Sequence, residues 1–214
     1  MLSQFELLKS SFYSRVQCTP FEPRPTQVIL SDIVLHLPVL EYYASKCKVV
    51  AEFGVRDGCS TIALIAGGPD EVHSYDIEKT PIVDILNTIE MPFRLIANYP
   101  TEWFFHLGDT GNPKLEVPEV DLLFIDTLHT YEHVIKELTH HGRKAKKYLA
   151  FHDVSTCGDL DRSGPNPNAR GIMPAINEFI NLYPGEYKEV YYTKANNGFL
   201  VLERTNGSNG NMGV

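Results

Sequence analysis

Cysteine is scarce in this chain of 214 residues. Cys18, Cys47, Cys59 and Cys157 are its four, and no two make a CxxC pair. That is too few for a disulfide scaffold, which leaves reduced, buried or incidental thiols. Basic charge is also short: 19 Lys and Arg stand against 27 Asp and Glu, a formal net charge of -8. A general nucleic-acid binder needs a basic face, so that class is set aside. No apolar run approaches the length of a membrane span, so no membrane attachment is expected. Residues 1–6 lack a basic run followed by an apolar core, so no secretory leader is expected and a cytoplasmic protein is the default. No internal repeat is present. What the chain does have is 43% hydrophobic residues, enough for one domain with a full core.

The stretch Val49-Val50-Ala51-Glu52-Phe53-Gly54-Val55-Arg56-Asp57-Gly58-Cys59-Ser60-Thr61 organises the rest. Apolar residues on both sides of Glu52 suit a strand covered on both faces. Gly54 and Gly58 permit a sharp turn and a close ligand approach. Ser60 or Thr61, followed by Ala63, Leu64 and Ile65, suits the start of a helix. Strand, glycine turn and helix is where open α/β sheets hold nucleotide-like ligands. A dinucleotide fingerprint counted from Gly54 needs glycines where Arg56 and Cys59 stand, and a P-loop needs a lysine that is missing. The ligand is therefore one without a diphosphate.

Before this stretch, residues 4–17 are expected to form a short helix with Phe5, Leu8 and Phe12 on one face. Pro20, Pro23 and Pro25 forbid regular structure. Ser31-Asp32 offers a cap for a second helix to about Tyr43, kinked or split at Pro38. These helices make a cover over residues 1–45, ahead of a main domain at 46–204.

Beyond it, strands are predicted at Glu71 to Asp76, Trp103 to Leu107, Val120 to Asp126 and Tyr148 to Phe151. Helices are predicted at 59–66, from Pro81 to about Ile89, around Tyr131, Val134, Ile135 and Leu138, and around Ile172, Ala175, Ile176, Phe179 and Ile180. Residues 91–101 match no element. Arg143-Lys144 and Lys146-Lys147 are placed near a helix C-terminus, as a solvated face rather than a binding patch. Residues 154–171, rich in Gly, Pro, Asn, Asp and Ser, are a lid, a binding loop or disordered. Tyr187 to Thr193 and Phe199 to Leu202 form a hairpin across Asn196-Asn197-Gly198. The tail 205–214 is expected to be disordered. The fold class is α/β: a doubly wound, mostly parallel, Rossmann-like sheet of about seven strands with N-terminal helices and a C-terminal antiparallel hairpin. Polar residues close its strands at Glu52, Asp76, Asp109, Asp126 and His152-Asp153, where ligands of such sheets bind.

Glu52-x-Gly54-Val55-x-x-Gly58-x-Ser60 resembles motif I of class I S-adenosylmethionine (SAM) methyltransferases. The resemblance makes Glu52, Gly54, Arg56, Gly58 and Ser60 cofactor-binding. It gives Asp76, 22 residues after Gly54, the ribose hydroxyls and places Gly108-Asp109 beside the adenine. Acids suit a ligand that carries a sulfonium and an ammonium. Phe124-Ile125-Asp126-x-x-His129-x-Tyr131-Glu132, Phe151-His152-Asp153, Gly171-Ile172-x-x-Ala175-Ile176-x-Glu178-Phe179 and Asn197-Gly198-x-x-Val201-Leu202 narrow it. They resemble the group of cephalosporin-hydroxylase-like proteins and macrolide sugar O-methyltransferases (methyltransferase 24-like), over about residues 27–204. That implies O-methylation of a small-molecule or carbohydrate hydroxyl. It also implies a divalent metal, Mg²⁺ or Mn²⁺, on Asp126 and Asp153, and His152, beside Asp153, is taken as the third candidate ligand. Asp126 would also face the cofactor, and His129 would be the base that deprotonates the acceptor.

The group has Glu-Asp where this chain has His152-Asp153. The imidazole shifts preference toward Mn²⁺, Fe²⁺ or Zn²⁺, or His152 only supports a ligand, or no metal binds. His129 is a reasonable base if it titrates near its ordinary pKa, and a helix cap otherwise. His133, His140 and His141 are expected to be solvated. Two alternatives stay open. One is a non-haem iron oxygenase on His129, His152 and Asp126 or Asp153. The other is a SAM-binding module without turnover. Homo-oligomerisation through the N-terminal segment is left open.

Overall fold

A computed structural model of the protein describes residues 4–13, 32–88, 101–162, 166 and 168–205. The expectations for 14–31, for 89–100 and for the tail from 206 lie outside these residues. The chain divides into two compact units, Met1–Asp109 and Thr110–Val214.

In the first unit, α1 (Gln4–Tyr13) buries Phe12. Its Lys9 and Tyr13 both reach Glu41, at 2.7 and 2.5 Å, on α2 (Leu37–Ala44). Pro38 does divide the second helix: a 3-10 turn, Val34–His36, precedes it, and the proline sits in the first turn of α2, where no N–H is missed. The predicted cap does not form. Ile33 holds the N-cap position of the 3-10 turn with no side-chain bond. Asp32 instead lies 3.4 Å from Arg56.

Then come β1 (Val49–Phe53), α3 (Cys59–Ala66), β2 (Glu71–Asp76), α4 (Pro81–Thr88) and β3 (Glu102–Leu107). The strands run parallel in the order β3-β2-β1, Val49 opposite Glu71 and Glu71 opposite Glu102. Parallel neighbours need crossovers, and the helices between these strands supply them. Of β1, four residues in five are buried, Glu52 among them, as a strand covered on both faces demands.

In the second unit, β4 (Val120–Ile125) is followed by α5 (Tyr131–His141), a 3-10 turn (Gly142–Lys144) and β5 (Ala145–His152). Then come α6 (Ile172–Leu182), β6 (Tyr187–Thr193) and β7 (Phe199–Arg204). The order is β4-β5-β7-β6; β4 and β5 are parallel, and β7 is antiparallel to both of its neighbours. The hairpin turn is the predicted one: Asn196, Asn197 and Gly198 have φ of 49°, 71° and 95°, values that Asn and Gly tolerate best. Seven strands, alternating with helices and closing in an antiparallel pair, make the predicted doubly wound α/β class.

Of the basic cluster, Arg143 and Lys144 lie just past the helix C-terminus, as predicted, and the other two lysines do not. Lys146 and Lys147 belong to β5, paired with Glu119 and Asp121. Arg143 pairs with Glu186, and Lys144 donates to the Val117 carbonyl. The helix ends at His141, and the 3-10 turn Gly142–Lys144 leads from it into β5. Among the described residues, no helix is long and apolar enough to cross a membrane.

Candidate functional site

The glycine turn of the first unit is held from below by Asp76. Its Oδ2 accepts from the backbone N–H of Val55 at 2.8 Å and of Arg56 at 3.0 Å, and its Oδ1 accepts from Glu78 N. Two further bonds fix the same strand end: Gly54 N donates to Tyr75 O and Gly108 N to Asp76 O, both at 2.8 Å. Gly54, Arg56, Asp76 and Gly108 are thus brought together, as their proposed common role requires. Arg56 has a left-handed φ of 47° and an exposed side chain. Asp109 is exposed, next to Gly108.

Gly58 is the N-cap of α3 at φ 77°, where a side chain is strained. A Cβ there would stand 2.5 Å from Ile82 Cγ1 of α4, so close packing against α4 also demands glycine. The helix begins at Cys59, and neither Ser60 nor Thr61 caps it, contrary to the prediction. Both are buried, and the Thr61 hydroxyl is turned to a different acceptor.

That acceptor is Glu52, which is 0% exposed. Its Oε1 receives the hydroxyls of Thr61 and Ser74, each at 2.5 Å, and Ser74 in turn accepts from the Trp103 indole at 2.8 Å. A buried carboxylate needs such donors. Glu52 therefore ties β1, α3, β2 and β3 together beneath the turn. Nothing in the hydrophobic pattern marked Ser74 or Trp103 for this.

The second unit gathers Asp126, just past β4, with His129, and His152, at the end of β5, with Asp153. His129 Nε2 lies 2.8 Å from Asp153 Oδ2 and 3.7 Å from Asp126 Oδ1. His152 Nδ1 lies 3.3 Å from Asp126 Oδ1 and 3.2 Å from Asp153 Oδ2. His152 and Asp153 are almost fully buried. Asp153 adopts φ 60°, a left-handed conformation that turns the chain sharply after the strand.

Burial disfavours every charge here, yet mutual pairing overrides it. Asp126 is held down at about 2 by the charge of His152 and by bonds from His129 and His152. Asp153 is lowered by bonds from both histidines and by their charges. His129 is raised to about 12 by bonds to Asp126, Asp153 and Cys157 and by the Asp153 charge. His152 is raised well above its ordinary value, by Asp126 first and then Asp153. The prediction that His129 titrates near neutrality does not hold for this arrangement: two carboxylates keep it an imidazolium.

Asp126, His152 and Asp153 offer donor atoms that all lie within 4.8 Å of one another. His152 Nε2 sits 3.1 Å from the Asn196 carbonyl. That oxygen only accepts, so Nε2 carries hydrogen and Nδ1 is the atom turned to the carboxylates. A ring N–H anchored on a carbonyl is how metal-binding histidines are oriented, so the donor set fits a divalent cation.

Glu137 was not foreseen. It is 0% exposed, although its place between Val134, Leu138 and His141 on the buried face of α5 could have flagged it. It accepts from Thr110 Oγ1 at 2.5 Å and Thr127 Oγ1 at 2.9 Å, and lies 3.2 Å from His133 Nε2. It thereby anchors the residue after Asp126. Also unforeseen, His141 is 1% exposed rather than solvated. Burial, with the charges of Lys144 and His140, lowers it to about 4. His133 is half-buried beside Glu137, and Thr130 caps α5 by accepting from His133 N.

No protein-family model matches the sequence, and no curated protein matches it. Solved structures do resemble the fold. An O-methyltransferase from Bacillus cereus in complex with SAH superposes with a TM-score of 0.54 at 14% identity, over 94% of this chain and 89% of that one. The O-methyltransferase TomG from Streptomyces achromogenes, involved in tomaymycin synthesis and in complex with SAM, gives 0.54 at 13% identity, over 84% and 83%. MycE methyltransferase from the mycinamycin biosynthetic pathway, in complex with Mg, SAH and mycinamycin VI, gives 0.56 at 14% identity, over 95% of this chain and 54% of that one. The chain therefore has the fold of SAM-dependent O-methyltransferases.

Proposed function

We propose that this protein transfers a methyl group from SAM to a hydroxyl oxygen of a small-molecule or sugar acceptor. The observation that carries the reading is the Asp126, His152 and Asp153 donor group at the carboxyl ends of β4 and β5, in a fold whose neighbours hold SAM or SAH. Gly54, Arg56, Gly58, Ser60, Asp76, Gly108 and Asp109 would line or shape the donor site, with Glu52 fixing the turn from within the core.

In the reaction, the acceptor oxygen attacks the methyl carbon in line. The carbon–sulfur bond breaks with its electrons going to sulfur, and SAH and a proton are released. A hydroxyl is a weak nucleophile at neutral pH, so its proton must be received. Asp126, His152 and Asp153 would hold a divalent metal, whose chemistry is to lower the pKa of a bound hydroxyl. His129 keeps its own proton while Asp126 and Asp153 are both turned to it. A cation held by those carboxylates would draw their charge away from His129 and so free its Nε2 to take the acceptor's proton.

The test is methyl transfer from labelled SAM to a panel of sugar and small-molecule hydroxyls, with Mg²⁺ and with Mn²⁺. Product that disappears in Asp153→Ala supports the reading. SAM binding without turnover on any acceptor favours a binding module instead. The oxygenase alternative draws no support from the fold.

A further inference from the structure

We propose that Arg170 reads an anionic group on the acceptor, a carboxylate or a phosphate. The word acceptor rests on the methyl-transfer reading; the anion site itself does not.

Arg170 closes the long segment after Asp153, and the base of that segment is stiff. Cys157 N donates to Asp153 O, Ile172 N to Cys157 O, Gly171 N to Asp159 O and Asp161 N to Ala169 O, at 2.9–3.0 Å. Leu160 and Arg170 form an antiparallel bridge. Gly171 is packed so tightly that a Cβ would stand 2.1 Å from the Cys157 carbonyl. The Arg170 backbone is therefore fixed, although the segment's composition suggested mobility.

Its side chain is fixed as well. Tyr131 N donates to Arg170 O at 2.9 Å, and the Arg170 guanidinium lies 3.7 Å from the centroid of the Tyr131 ring. Tyr131 is held in turn, its hydroxyl donating to Glu178 Oε2 at 2.6 Å. Part of the guanidinium is turned to the Tyr131 hydroxyl, and the remaining donors of its planar fork are open to a two-point partner. Arg170 is exposed, and among the described residues no carboxylate forms an ion pair with it. Glu178, the carboxylate close by, is bonded to the Tyr131 hydroxyl instead.

Tyr131 stands two residues after His129, and His129 is bonded to Asp153 at the other end of the same segment. Arg170 is thus attached to the stretch that carries the proposed acceptor chemistry. A cation pre-ordered by stacking loses little freedom on pairing, and guanidinium matches carboxylate and phosphate by two parallel hydrogen bonds. A neutral acceptor would leave those open donors to water.

The experiment titrates glucuronate, glucose 6-phosphate and glucose into ¹⁵N-labelled protein, with SAM titrated into a parallel sample. At least one anionic sugar is expected to bind ten times or more tighter than glucose, moving the Arg170 Nε–H and Tyr131 amide signals. Which of the two does so separates carboxylate from phosphate. Arg170→Met, which keeps the stem but not the charge, reduces that sugar to the level of glucose, and Arg170→Lys falls between. Equal binding of all three sugars, no binding of any at millimolar concentration, or an unchanged preference in Arg170→Met overturns the proposal. Anion binding without SAM binding would instead remove the methyl-transfer reading and leave the anion site standing.

Discussion

Asp76 accepts from two successive backbone N–H groups, those of Val55 and Arg56, through one carboxylate oxygen. The glycine turn is therefore shaped by an acid from the neighbouring strand before any ligand arrives. Bonds to a charged group contribute about 1.5–3 kcal/mol each when well made, and less where water competes. Asp76→Ala is expected to lower unfolding stability by about 1–3 kcal/mol in urea titration, with the far-ultraviolet circular dichroism retained. An unchanged midpoint would mean that the turn holds its shape without the carboxylate.

Gly58 answers to packing as much as to backbone conformation. Gly58→Ala is expected to cost about 1–3 kcal/mol, because φ is left-handed and Ile82 occupies the space. Ile82→Ala relieves the collision. The double variant should therefore lose less than the sum of the two single losses, as residues in contact do. Strict additivity in denaturant unfolding would refute the packing account.

His141 predicts an acid limb to the stability curve. Burial lowers its pKa to about 4 in the folded protein, against 6.5 when exposed. A histidine kept neutral in this way contributes stability that is full above pH 6.5 and is lost as pH falls through 4, because the unfolded chain binds the proton first. The loss across that window amounts to about 3 kcal/mol. His141→Phe should flatten stability between pH 7 and pH 4.5, measured by urea unfolding at stepped pH.

An imidazole among oxygen donors leads to a metal preference. Wild-type protein should bind Mn²⁺ at least about tenfold more tightly than Mg²⁺, read by the loss of free Mn²⁺ signal in electron paramagnetic resonance and by Mg²⁺ competition. Asp153→Ala should abolish binding of both. His152→Glu, which makes the set all-oxygen, should narrow the difference. Equal affinities in the wild type would show that His152 donates nothing to the ion.

The strand ends were legible because buried strands read as apolar runs, and the residues closing them, Asp76, Asp126 and His152-Asp153, break those runs visibly. Asn197-Gly198 announced the hairpin for the same local reason. The misreadings arose where a distant partner decided the outcome. Thr61 would suit a cap, but Glu52 competes for its hydroxyl from the core. His129 would titrate near neutrality alone, but carboxylates from two separate strand ends hold its proton. His141 sits on the same helical stripe as Val134 and Leu138, yet its polarity suggested solvent. Glu137 was overlooked because a carboxylate on an apolar stripe declares its role only once Thr110 and Thr127 are in place.

The central claim is that this fold holds SAM at the turn shaped by Asp76. Calorimetric titration with SAM and with SAH measures it most directly. The account predicts one-to-one binding of both by the wild type and a loss of at least about tenfold in Asp76→Ala, since the turn loses its anchor. Failure of the wild type to bind either at millimolar concentration, or undiminished affinity in Asp76→Ala, contradicts it.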